Sequence, residues 1–313
     1  MHPAASVIVF TTFSGIGFGL MTLLGLRFGV ENAGFQWTAT VAAYFFAGLG
    51  LLSSTLHLRR PDRAWRAFSQ WRSSWLSREG VMSILTLGVF GLYSIGVLFL
   101  NVFDAWLGGI AAIMALVTIL TTSMIYTQLR TVPRWSTIWT PLAFYGFAIA
   151  GSLLLLATLL AIFGAPHTRS VAQYTMAALI IAWAIKYGWW QHAETATLSA
   201  KGSGTGDATG LGRIGSVRPF EPPNTSPNYL MKEMIYRVGR QRARALRRLA
   251  FFLGAIAPVI LVALAIYAGA TAPLLILAFL LHLTGMLAER WLFFAEAEHA
   301  VGSFYRATDP ATA

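Results

Sequence analysis

Apolar residues in this chain do not alternate with polar ones at a short period; they run together in long blocks separated by short polar or basic connections. Eight such blocks occur, at 7–28, 38–57, 80–100, 106–126, 139–163, 171–190, 249–269 and 271–294. Each is close to the roughly 20 residues that a helix needs to cross a bilayer. The pattern predicts an all-α fold, a polytopic membrane helical bundle of eight transmembrane helices. One membrane domain is expected in three sections: helices one to six in 1–192, a polar loop over 193–248, and the last two helices with a tail in 249–313.

Composition agrees, since 56% of residues are hydrophobic and only 11% charged, too few charges for a soluble domain of this length. The net charge of +11 raises nucleic acid as a partner, and the placement of the charges answers it. With eight spans both termini share one side with the loops after helices two, four and six, and that side holds 19 of the 23 Lys and Arg residues. Arg27 and Arg169 fall opposite, while Lys186 and Arg290 lie inside helices. The rich side reads as cytoplasmic, so both termini are expected there, in an inner membrane, and no nucleic acid is implied. The N-terminus lacks a basic n-region and its first apolar run is too long for a signal peptide, so that run is expected to stay as helix one.

The polar interruptions carry the candidate chemistry. Gly15, Gly17, Gly19, Gly25 and Gly29 in helix one follow no strand, so they read as close helix packing rather than a phosphate loop. Between helices two and three lies a basic, aromatic loop with His57 at one end and Glu79 at the other. Ser77 reads as the cap of helix three, with Glu79 in its first turn. Within the long polar loop, 202–216 reads as flexible linker, and Asn228 opens a basic amphipathic helix suited to lipid headgroups or an acidic partner. Helix eight carries His282 and Glu289 with Arg290 and Glu296; ionisable residues at that depth form either a structural pair or a possible proton path.

His57-Leu58 followed by Pro61, Leu76-Ser77 with Glu79, and the stretch Thr131-Val132-Pro133, Trp135 and Ile138-Trp139-Thr140-Pro141 give the chain its likeness. It resembles the membrane-anchor subunits of dimethyl sulfoxide reductase-type molybdoenzymes, including the similar anchor of cytoplasmic sulfite dehydrogenase. The resemblance implies a non-catalytic anchor that binds menaquinone or ubiquinone at His57 and Glu79. It further implies two partners, a four-cluster iron-sulfur subunit and a molybdopterin catalytic subunit, the first docking near Arg59, Arg60, Arg63, Arg66, Arg72 and Arg78. Cysteine is absent from the sequence, which excludes thiolate-held clusters and covalently attached haem in this chain, so any cluster belongs to a partner, and the resemblance implies the same of molybdopterin. No haem is expected.

The residues suit that chemistry. A quinone site must exchange protons near neutral pH, where histidine titrates unperturbed and where burial can bring a carboxylate. Position alone also allows a bland reading, in which His57 caps free carbonyls and Glu79 answers a helix dipole. Two other functions stay open: a b-type cytochrome using helical histidines, and a transporter, although the two groups of four spans show no convincing repeat.

Overall fold

The computed structural model of the chain describes residues 4–29, 32–56, 61–196, 198, 202, 204–217, 220–221, 242–268 and 271–300. Among these the fold is all-helical. The long helices are α1 (Ala5–Gly25), α2 (Ala33–Thr55), α3 (Trp75–Phe99), α4 (Ala105–Thr127), α5 (Trp139–Ile162), α6 (Thr168–Thr195), α7 (Ala243–Tyr267) and α8 (Thr271–Ala295). Seven are long and apolar enough to cross a membrane; α6, with Gln173, Lys186 and Gln191, is the exception. The amphipathic helix expected from Asn228 lies mostly outside the described residues, and the linker contains one five-residue helical turn, Thr205–Thr209.

Helices α1 and α5 form the centre, enclosed by protein on most of their surface. α2 shows how a membrane helix divides its faces: Phe35, Ala39, Ala43, Ala47 and Gly50 are buried, while Trp37, Val41, Phe45, Leu49 and Leu52 point outward, as a lipid-facing stripe does. The buried stripe is small so that α1 can come close. A Cβ on Gly17 would collide with the backbone of Ala47, and one on Gly50 would lie 2.5 Å from the Ser14 nitrogen. The close-packing reading of the helix-one glycines holds at these contacts.

Element ends differ from the apolar blocks where the first turn is polar. α2 begins at Ala33 because Asn32 accepts from the Phe35 amide at 2.8 Å. α3 likewise starts at Trp75 with Ser74 as its cap, not Ser77, which places Glu79 in the second turn. Ser77 instead donates its hydroxyl to the Ala67 carbonyl. Between α3 and α4 the chain turns with Asn101 in the left-handed region (φ 54°) and Asp104 capping α4 at 2.9 and 3.0 Å. In α7 a π turn, Phe252–Ile256, interrupts the α-helix beside Trp183 and Gly285.

Candidate functional site

The starts of α1 and α3 and the ends of α2 and α4 meet around an open cavity of about 580 Å³. Val7, Phe10, Leu76 and Ile125 give it an apolar lining; Ser54, Thr55, Glu79 and Tyr126 add polar groups. Glu79 is only 5% exposed, and its Oε1 accepts the Ser83 hydroxyl at 2.9 Å, one helical turn further on. Its other oxygen has no protein hydrogen bond, and no cation pairs with the carboxylate among the described residues. An uncompensated carboxylate in an apolar wall is costly in a folded protein, which marks this position out.

A 3₁₀ segment, Pro61–Gln70, covers the cavity through Arg63, Ala64, Ala67 and Phe68. Two contacts hold it to α3: Ser77 bonds Ala67, and the Phe68 ring lies on Gly80, where a Cβ would come within 2.9 Å of it. Arg78 closes the turn between them, donating to the carbonyls of Trp71 (2.9 Å) and Arg72 (2.7 Å) and stacking on Trp75. Arg63, Arg66 and Arg72 are exposed, the latter two beside the rings of Trp65 and Trp71. His57, Arg59 and Arg60 lie outside the described residues; Ser54 and Thr55, just before them in sequence, line the cavity.

Tyr126 is the residue that sequence reasoning missed. A tyrosine at a helix end reads as an interfacial anchor, and nothing local ties it to Glu79. In the fold its ring is boxed by Trp135, Phe144, Phe293 and Phe294, at centroid distances of 5.4, 5.8, 5.6 and 5.4 Å. Those partners come from the loop after α4, from α5 and from α8, so Tyr126 is fixed by three parts of the protein.

The ionisable residues of α8 occupy two separate settings. Glu289 meets Lys186 of α6 at 2.5 Å and Arg290 at 3.2 Å, all three at most 2% exposed. The Arg290 guanidinium also lies 4.1 Å from the Phe144 ring centre. His282 is two turns away, its Nδ1 2.6 Å from the Gly254 carbonyl in the π turn. No hydrogen bond or ion pair joins His282 to Glu289 among the described residues. Nearer the helix end, Arg247 of α7 bridges Glu296 (2.9 Å) and Glu194 (2.7 Å).

Comparison with known proteins gives a consistent result. The sequence profile of the family described as DMSO reductase anchor subunit (DmsC) matches residues 1–295. The protein is 30% identical to a sulfite dehydrogenase subunit of Allochromatium vinosum, over 98% of its own length and 99% of that subunit. It is 25% identical to one polypeptide of the anaerobic dimethyl sulfoxide reductase of Escherichia coli, over 61% of its own length and 70% of that polypeptide. No solved structure gives a significant match.

Proposed function

Because this protein belongs to the DMSO reductase anchor subunit family, we propose that it exchanges electrons between a membrane quinone and an iron-sulfur partner, with the quinone head group in the cavity beside Glu79. The observation that carries this reading is the buried Glu79 carboxylate, one oxygen free of protein partners among the described residues, in the wall of an apolar cavity. About 580 Å³ is within the roughly 300–1,000 Å³ typical of small-ligand sites, and the mixture of apolar wall and few polar groups suits a lipophilic head group. A bound quinone supplies a couple of two electrons and two protons. Glu79 exchanges a proton at its free oxygen, Ser83 orients the carboxylate, and His57 serves the opposite oxygen of the head group.

The anchor crosses the inner membrane eight times with both termini cytoplasmic, and holds a four-cluster iron-sulfur subunit and a molybdopterin catalytic subunit on the cytoplasmic face. The exposed basic surface of Arg63, Arg66 and Arg72, with Arg59 and Arg60, is where the iron-sulfur subunit docks, placing its nearest cluster over the cavity. Full-length similarity to a sulfite dehydrogenase subunit supports sulfite oxidation at the catalytic subunit, with electrons passing to quinone; dimethyl sulfoxide-type reduction is the second reading.

The test uses the whole complex. Glu79→Gln and His57→Ala should each lower quinone-linked turnover by about 10²-fold or more, as loss of a positioned proton-transfer group does. Turnover of the catalytic subunit with a soluble viologen or ferricyanide should stay at the wild-type rate. Undiminished quinone-linked turnover in Glu79→Gln overturns the site.

A further inference from the structure

We propose that Tyr126 is a further head-group ligand beside Glu79 and His57, its hydroxyl donating a hydrogen bond to a quinone oxygen in the cavity that it lines with Glu79; this rests on the quinone reading above. Tyr126 lines the same cavity as Glu79, and no protein group takes a hydrogen bond from its hydroxyl among the described residues. A tyrosine hydroxyl enclosed by protein normally finds a partner, because leaving it unpaired forfeits a hydrogen bond to water. The side chain is only 7% exposed, and its ring is held at four aromatic contacts, so the open cavity is where a partner must come from.

The surroundings fit a group that meets a polar oxygen rather than one that merely fills space. Tyr126 is within electrostatic range of both Glu79 and Arg290. Arg290 shares two of its aromatic neighbours, Phe144 (4.1 Å) and Phe293 (5.3 Å), and pairs with Glu289 at 3.2 Å. Glu79 exchanges a proton with the head group, whereas Tyr126 donates a hydrogen bond and keeps its proton; the two roles are complementary. The rigid box also has a function of its own, since a ligand pre-set in direction loses less entropy on binding.

The experiment is quinone binding and turnover with the assembled complex carrying Tyr126→Phe, which keeps the ring and its packing and removes only the hydroxyl. With a short-chain quinone, affinity and 1/KM should fall by about three- to tenfold, the loss of one neutral hydrogen bond. A second probe, a short-chain tetralone-type analogue that carries a CH2 in place of the carbonyl assigned to Tyr126, separates bonding from packing. Wild type should bind it more weakly than the quinone, and Tyr126→Phe should bind it as well as wild type does. An equal loss on both probes means that the variant disturbs the cavity and overturns the proposal, as does no loss on either. If wild type binds neither probe, or Glu79→Gln leaves quinone turnover unchanged, the quinone site itself fails; if Glu79→Gln is defective and Tyr126→Phe is not, only the tyrosine assignment fails.

Discussion

The group Lys186, Glu289 and Arg290 places two cations around one carboxylate in a fully enclosed setting. Removing the carboxylate strands the charges that it balanced, at a cost of about 3–5 kcal/mol. The signs make the three residues unequal. Glu289→Gln leaves Lys186 and Arg290 facing each other without an anion. Lys186→Met leaves Glu289 with Arg290, a neutral pair, and its apolar stem can keep the contact now made over the Trp189 ring (3.5 Å). Thermal unfolding of the purified complex should therefore rank wild type and Lys186→Met close together and Glu289→Gln well below; equal melting points for the two variants would contradict this charge balance. The sequence shows that these residues are ionisable and deep, but not that α6 and α8 bring them together. His282 illustrates the same limit: its partner is a backbone carbonyl at a π turn, which has no side-chain signature.

At the scale of elements, the positions of the long helices are legible from apolar block length alone, while their ends depend on caps such as Asn32 and Ser74 that lie in polar flanks. Glycines in these helices serve close packing in kind but not one by one. Gly50 touches the backbone of α1, whereas a Cβ on Gly48, only two positions away, would meet nothing within 4 Å. Gly50→Ala should push α1 and α2 apart and lower the melting point by several degrees, the response to about 1–3 kcal/mol of overpacking. Gly48→Ala should leave it unchanged or raise it slightly, since alanine is the better helix former. Both variants are measured side by side, and comparable losses would show that packing at α1 does not set the difference. The cavity was the least legible feature. It is assembled from four helix ends and a 3₁₀ segment, and of its polar residues the sequence singles out Glu79 and, as part of the basic loop, Arg63, while Ser54, Thr55 and Tyr126 carry no signal.

For the whole molecule the count of spans decides the topology, because seven crossings put the two termini on opposite sides and eight put them together. The undecided element is α6, which hydropathy alone leaves out. Its polarity has a structural cause: Lys186 is charged for the sake of Glu289, and a paired, enclosed lysine does not meet lipid. The buried residues Val171, Thr175, Leu179, Ala182, Lys186, Trp189 and Ala193 form one stripe along the helix, whose 28 residues extend about 42 Å. That stripe runs antiparallel to α5, with Gly188 against Trp139 and Gly146 against Ala182. If α6 crosses beside α5 in the reverse direction, it returns the polypeptide to the side from which α5 began. Cysteine is absent from the sequence, so single introduced cysteines report on sidedness without a background. With a membrane-impermeant maleimide, Pro166→Cys should label from outside intact spheroplasts, and Ser69→Cys and Ser216→Cys only from inverted vesicles. Labelling of Pro166→Cys and Ser216→Cys from the same side would remove α6 from the membrane. The basic segment beside the cavity would then no longer share a side with the polar loop that follows α6.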